Sequence, residues 1–231
     1  VAVYGEWPGQ PAHIVPTFSP SYSDADWEME SDGVMAKIQK LQQSDNVQQP
    51  VKLISVGALN KNKNHQLIVH AVKQLADRNI DAHLTLLGEG PERNALTHLI
   101  ESLGLGQQVH LNGNTSQADV RGFYRDADFV VQPSLTEGFS KVPLEACFHG
   151  AIPLLSDINL NPQVVGGTDR GRCYPVDDAS LLARHIAELS HDSAEMVRLI
   201  KNCRDYAHDH TLESWRQHIK QMLERHWQIR L

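Results

Sequence analysis

Apolar positions fall into short blocks whose period changes along the chain. Val51–Gly57 and Ala82–Gly88 are runs rich in branched and apolar residues, bounded by Pro50, Gly57 and Gly88. Such runs read as buried strands. Between them Leu67, Ile68, Ala71, Val72 and Leu75 recur at helical spacing. The alternation continues with a helix at Leu96, Leu99, Ile100 and Leu103, opened by Pro91 and closed by Gly104. A third strand is expected at Val109–Leu111, a helix at Ser116–Tyr124 with Ser116 and Asp119 as its capping pair, and a fourth strand at Phe129–Gln132. A helix at Val142–Phe148, a fifth strand at Ile152–Leu155 and a sixth at Arg172–Tyr174 follow. Beyond residue 176 three helical stripes are seen: Leu182, Ile186 and Leu189; Met196, Ile200 and Cys203; and Leu212, Trp215, Ile219, Met222 and His226. Strands that are apolar throughout and alternate with helices predict an α/β fold: a doubly wound, Rossmann-like parallel sheet with extra C-terminal helices.

Residues 1–50 read differently. Pro8, Pro11, Pro16, Pro20 and Pro50 punctuate a polar segment that ends Gln48-Gln49-Pro50. One weak helical pattern, Val34, Ile38 and Leu41, sits inside it. The segment is expected to be a connector with one short helix, leaving 51–231 as the folded domain.

Composition narrows the classes. At 231 residues the chain is long enough to bury roughly 70% of its unfolded surface without disulfides or structural metal. A net charge of −7 argues against sequence-independent nucleic-acid binding, which relies on Lys and Arg at phosphates. Cys147, Cys173 and Cys203 are odd in number and widely spaced, as expected for reduced thiols in the cytoplasm. No apolar run approaches the roughly 18 residues of a membrane span. The thirteen histidines are scattered without HExxH or a His/Cys cluster, so no metal site is expected; His149 is expected to be structural.

Ligands of an open parallel sheet sit at the carboxyl ends of the strands. After the first strand come Gly57-Ala58-Leu59-Asn60-Lys61-Asn62-Lys63-Asn64. A Gly and two lysines ahead of a helix suit an anion such as a diphosphate, and suit a solvated polar loop as well. GxGxxG and GxxxxGK[ST] are both absent here, which disfavours a nicotinamide dehydrogenase domain and a P-loop. After the second strand, Gly88-Glu89-Gly90-Pro91 reads as a tight turn, with close approach of a ligand at Gly90 as the other option. After the fourth strand, Glu137 and Glu145 stand with seven residues between them, one in a loop and one in the next helix. Both carboxylates are expected to face one cavity, where they could accept hydrogen bonds from sugar hydroxyls. The backbone amides of Gly138, Phe139 and Ser140 could meet a phosphate or a developing oxyanion. The blander account makes Glu137 a helix-end charge and Glu145 a surface residue. Its neighbours Ala146, Cys147 and Phe148 place Glu145 on a partly buried helix, so a partner or ligand is expected.

These residues resemble the retaining, nucleotide-sugar-dependent glycosyltransferases of the GT-B fold (glycosyl transferases group 1, family 4-like). The resemblance rests on Glu137-x7-Glu145, VGALNKNKN at Val56–Asn64, LLGEGP at Leu86–Pro91, VHLNGN at Val109–Asn114, YRDADFVVQPS at Tyr124–Ser134, HGAIP at His149–Pro153 and the late Ser214-Trp215 helix. It covers about residues 51–229.

The resemblance implies the C-terminal, donor-binding half of a GT-B enzyme, with residues 1–50 as linker and remnant of the first domain. A chain beginning with Val fits a piece of a longer protein, expected not to turn over alone. Glu137 and Glu145 would be the catalytic-site carboxylates: Glu145 on the ribose hydroxyls, and Glu137 on the donor sugar near the anomeric carbon. Gly57 and Lys63 would meet the diphosphate, and Gly138, Phe139 and Ser140 the sugar and diphosphate. The loop at Asn112-Gly113 would lie beside the base. The donor would be a UDP-, GDP- or ADP-sugar, used without bound metal or cofactor, in keeping with the lack of DxD in these loops. Partners would be a glycan or lipid-linked acceptor and the missing N-terminal domain, with no nucleic acid. The expected place is the cytoplasm, with peripheral attachment at the inner membrane face left open. Trp215, Ile219, Met222 and Trp227 would present a face to the N-terminal domain, or simply pack as an amphipathic helix. Two departures stand out. Ala58 occupies a position usually held by Arg, and Asp157–Gln163 replaces a Gly-Gly loop with a Glu. The alternative is a non-catalytic nucleotide- or sugar-binding module of the same fold.

Overall fold

The computed structural model describes residues 1–43 and 50–227, apart from the side chains of His226 and Trp227. Its centre is a six-stranded sheet, parallel throughout, of β3 (Val51–Val56), β4 (Ala82–Leu87), β5 (Val109–Gly113), β6 (Phe129–Gln132), β7 (Ile152–Ser156) and β8 (Arg172–Tyr174). The order β5-β4-β3-β6-β7-β8 reverses direction between β3 and β6. That is the topological switch point at which a doubly wound sheet opens a crevice. Alternate residues serve opposite faces: Leu53, Phe129, Val131 and Leu154 enter one core, and Ile54, Val130 and Leu87 the other. This explains why the strands read as continuous apolar runs.

Helices α2 (His65–Ala76), α3 (Arg93–Ser102), α7 (Ala179–Ser190) and α8 (Ser193–His208) pack on the larger core. Helices α4 (Gln117–Asp126) and α5 (Val142–Phe148) pack on the smaller one. Ser116 caps α4 by accepting from the Asp119 amide at 3.2 Å. Pro91 does not open α3 as expected: it lies in a turn, and the helix starts at Arg93 behind Glu92. Gly104, at φ +70°, closes that end as expected. The third strand runs two residues beyond its expected end. Asn112 and Gly113 are therefore strand residues rather than a loop, because a register shift between Leu86 and Leu87 pairs Leu87 with Gly113. A five-residue helix, α6 (Asn161–Val165), forms in the stretch expected as a loop.

Residues 1–43 hold more structure than a connector. β1 (Ala2–Tyr4) and β2 (Val15–Thr17) pair in parallel. Helix α1 (Asp24–Gln42) is 19 residues long and starts at a capping box between Ser23 and Asp26. It buries Val34, Ile38 and Leu41 in the larger core. Lys37 lies along its inner side and donates to the carbonyls of Ala127 and Gly150, at the ends of α4 and α5. Arg204 of α8 donates to Phe148 O at 2.5 Å and Trp27 O at 2.9 Å, and its guanidinium lies 4.3 Å from the Trp27 ring centre. The Gln48-Gln49 part of the expected polar stretch lies outside the described residues. Helix α9 (Leu212–Trp227) leaves Trp215 exposed and half-buries Ile219 and Met222; the Trp227 side chain lies outside the described residues.

Burial sets a pH response. His65 and His149 are almost wholly buried, and desolvation pushes each imidazole from 6.5 down to about 4. His185 and His210 shift the same way, also through burial. Between about pH 6.5 and 4 the unfolded chain therefore binds protons that the folded chain refuses, so stability falls as pH falls through this window. The Asp128 carboxyl, pushed up by burial, opposes this alone against four imidazoles. Urea unfolding is expected to give a clearly lower midpoint at pH 5 than at pH 7.5; equal midpoints would contradict the burial of these rings.

Candidate functional site

The site is built where β3, β4, β5 and β6 end. Three glycines bring the first three ends together. Gly88 donates its amide to Gly113 O at 2.8 Å, and a Cβ on Gly88 would stand 2.0 Å from Gly57 O. A Cβ on Gly90 would stand 2.3 Å from Leu59 O. Gly90 opens the expected tight turn, its carbonyl accepting from the Arg93 amide at 3.1 Å, and also admits the protein's own backbone at Leu59. Gly113, at φ +74°, has the Glu89 carboxylate over it, and Glu89 is paired with Arg93 at 2.6 Å.

Past Gly57 the chain makes a 3₁₀ turn, Lys61–Lys63, capped by Asn60, which accepts from the Lys63 amide at 3.0 Å. The turn lays the Lys63 stem along Gly57, where a Cβ would meet Lys63 Cε at 3.4 Å. The Lys63 ammonium pairs with the Glu137 carboxylate across the switch point. Ser134 Oγ also donates to Glu137, at 3.4 Å. Asn62 ties the two loops together: its Nδ2 donates to Thr136 O at 2.9 Å, and its Oδ1 accepts from the Thr136 amide at 3.1 Å. Asn159, in the left-handed region at φ +46°, donates to Glu137 O at 2.5 Å.

Beyond Glu137 the loop is open. A Cβ on Gly138 would meet nothing within 4 Å, and the amides of Gly138, Phe139 and Ser140 have no protein acceptor among the described residues. Phe139 is stacked on Tyr4 with ring centres 4.5 Å apart and planes 4° apart. Ser140 Oγ accepts from Gln132 Nε2 at 2.7 Å. Lys63 and Glu137 therefore meet at the base of a loop whose next three amides have no protein acceptor among the described residues.

Glu145 has the partners that its partly buried helix called for. Its Oε1 accepts from Ser21 Oγ at 2.7 Å and its Oε2 from Tyr124 OH at 3.3 Å. Both oxygens thus have hydroxyl partners within the chain, and neither partner belongs to the Glu137 loop. Burial, and then the Glu145 charge, push the Tyr124 phenol well above its usual range, so it stays a donor. Ser21 and Tyr124 were not singled out from the sequence. They lie 124 and 21 residues from Glu145, and no local pattern links them. Asn112 lies on the strand end beside Gly113, its Nδ2 donating to Thr115 at 3.3 Å, at the rim of an open hollow bounded by α4 along its length. Among the described residues no group of three or more His, Cys, Asp or Glu is placed to hold a metal ion, and no helix is long and apolar enough to cross a membrane.

Comparison with known proteins points to one family. The sequence profile described as "Glycosyl transferases group 1" matches residues 37–206. A D-inositol 3-phosphate glycosyltransferase of Corynebacterium efficiens is 26% identical over 158 residues, 66% of this chain and 37% of that protein. The lipopolysaccharide core biosynthesis glycosyltransferase LpsE of Rhizobium meliloti is 30% identical, over 64% of this chain and 42% of that protein. The chain thus spans about two-fifths of the length of these relatives. Among solved structures, Anabaena HepE in complex with UDP superposes with a TM-score of 0.74 at 17% identity, over 92% of this chain and 57% of that one. The C-terminal domain of the group 1 glycosyl transferase LpcC of Francisella tularensis gives 0.62 at 18% identity, over 82% of this chain and 93% of that one. The profile match covers most of the chain and the fold is that of the C-terminal domain; the chain belongs to the glycosyl transferases group 1 family.

Proposed function

We propose that this chain is the donor half of a retaining glycosyltransferase, binding a UDP-, GDP- or ADP-sugar whose sugar passes to a glycan or lipid-linked acceptor in polysaccharide or glycoconjugate biosynthesis. The observation that carries this reading is the Lys63–Glu137 pair at the switch point, beside the unpaired amides of Gly138–Ser140. A diphosphate needs donors and positive charge, and the amides and the Lys63 ammonium are suited to supply them. In the reaction the bond from the anomeric carbon to the diphosphate oxygen breaks, and its electron pair stays on that oxygen. Lys63 and the amides take up the charge that develops there. Glu137 faces the positive anomeric side, and the acceptor oxygen bonds to that carbon on the same face, its proton passing to the departing diphosphate oxygen. Glu145 receives the ribose diol in place of the Ser21 and Tyr124 hydroxyls. Asn112 and Gly113 border the base. The acceptor would be held largely by an N-terminal domain, so this chain binds donor without turning it over, in the cytoplasm. A second reading, a binding module without catalysis, is favoured by Ala58, which offers no cation at the phosphate loop.

Calorimetric titration with UDP, GDP and ADP is expected to show saturable binding of one of them. Glu145→Ala should weaken it about tenfold, the worth of hydrogen bonds to a charged group. Equal affinity in the variant would remove Glu145 from the site, and no binding of any nucleotide would overturn the donor reading.

A further inference from the structure

The amide run of Gly138–Ser140 is pinned at its two ends and not in its middle. At one end Glu137 O accepts from Asn159 Nδ2 at 2.5 Å, and the Glu137 carboxylate is held by Lys63 and Ser134. At the other end Ser140 Oγ accepts from Gln132 Nε2 at 2.7 Å. Between them stands Gly138, which has the widest backbone freedom and no side chain to restrain it. Phe139 joins none of the buried apolar clusters among the described residues, and its ring borders a groove instead. Its one aromatic partner among the described residues is Tyr4, stacked with ring centres 4.5 Å apart.

Tyr4 is itself firmly placed. It ends β1, in register with Thr17 of β2, and its carbonyl accepts from Trp7 Nε1 at 3.1 Å. Two residues on, the side-chain amide of Gln163 reads the Glu6 backbone as a strand partner would: Glu6 N donates to Oε1 at 3.0 Å and Nε2 donates to Glu6 O at 2.7 Å. Gly5, between them at φ +71°, lies so close to α6 that a Cβ there would stand 2.3 Å from Leu160 Cδ2. Leu160 and Gln163 belong to the same stretch as Asn159, the Asp157–Gln163 segment that departs from the family pattern. This stretch therefore braces the amide loop twice, directly through Asn159 and, by way of Tyr4, on Phe139.

We propose that Tyr4 is a positioning residue of the donor site: its ring fixes Phe139, and through Phe139 the backbone that offers the Gly138–Ser140 amides to the diphosphate. The proposal rests on the donor reading above. Stacked rings attract one another beyond the area they bury. A loop already held in its binding conformation spares the ligand the cost of ordering it, and affinity falls in proportion when that conformation is only fractionally populated. Tyr4 is 44% exposed, so its ring fills no core, and what it holds in place is the loop. The leading segment of the chain thereby acts on a site built from strand ends more than 50 residues away.

The test compares UDP with UMP, GDP with GMP and ADP with AMP on the full chain and on its Tyr4→Ala and Tyr4→Phe variants. Diphosphates are titrated by calorimetry and monophosphates by displacement. Backbone order parameters of Gly138–Ser140 are measured by NMR without ligand. Tyr4→Ala is expected to weaken the diphosphate about tenfold, as when the competent loop falls to about a tenth of its population. The monophosphate lacks the phosphate these amides serve and should bind as it does to the parent. Tyr4→Phe keeps the stack and should restore parental affinity. The order parameters should fall from about 0.85 in the parent to below about 0.6 in Tyr4→Ala. A Tyr4→Ala chain that binds the diphosphate like the parent, or keeps the loop rigid, would overturn the proposal. Equal loss of mono- and diphosphate would make Tyr4 a general support of the fold, and a Tyr4→Phe chain as weak as Tyr4→Ala would assign the effect to the hydroxyl; either result overturns the role of the ring. A parent that binds no nucleotide would overturn the donor reading, and with it the role toward diphosphate, while the order parameters would still decide whether Tyr4 holds the loop.

Discussion

Gly88→Ala is expected to cost about 3–5 kcal/mol of stability, at the severe end for a single methyl group. Two effects add. The backbone there stands at φ +140°, which a side chain rarely tolerates, and the new Cβ would fall 2.0 Å from Gly57 O and 2.9 Å from its carbonyl carbon. Backbone cannot swing aside as a flexible side chain can. Relief would require β3 and β4 to part at their carboxyl ends, where Gly88 also donates to Gly113 O. The site would be lost with the fold. Gly138→Ala is the matched control: a Cβ there meets nothing within 4 Å, so a change of about 0.5 kcal/mol or less is expected. Urea unfolding of the two variants beside the parent checks the pair. A Gly88→Ala midpoint equal to the parent's would mean that the three strand ends do not meet as described.

Lys63→Ala should lower nucleoside-diphosphate affinity about a hundredfold, at the upper end of what one charged hydrogen bond supplies. Glu137 puts the loss at that upper end. With the ammonium gone, its carboxylate faces an incoming diphosphate uncompensated, and repulsion is added to the lost attraction. The double variant Lys63→Ala with Glu137→Gln should therefore bind more tightly than Lys63→Ala alone, a coupling that a double-mutant cycle reads directly. Stability is expected to change by no more than about 1 kcal/mol, since the pair is partly exposed to solvent. Calorimetry supplies the affinities. A double variant that binds as weakly as the single one would show that the two side chains act independently on the ligand.

The sheet was legible because its central strands are buried on both faces. Phe129–Gln132 has the bounds expected from apolarity alone, as does the helix Val142–Phe148. Helix α1 was underestimated because its pattern is blurred: the charged Glu30 is buried, while Met29 and Met35 are exposed. Glu30 is paired with Arg125 of α4, 95 residues away, and such a partner leaves no trace in local periodicity. The three-residue strands β1 and β2 lie among prolines and are too short to show alternation. In the site, Lys63 and Glu137 were found because both follow strands at the switch point. The hydroxyls on Glu145 and the glycine contacts behind Lys63 were not, because they depend on how separate elements meet.

Helix α1 also dictates an order of events during synthesis. Its inner face packs against α8, and its Trp27 receives Arg204, 177 residues later in the chain. A chain emerging from the ribosome with its N-terminus first makes α1 early and its main partner late. Until about residue 208 has emerged, Val34, Ile38 and Leu41 have no lasting cover, whereas β3 and β4, neighbours in sequence, can already pair. Closing so wide a loop is a slow step that adjacent strands do not face. The nascent protein thus carries this helix without its partner until α8 has emerged, and this is the stage at which a chaperone would be needed.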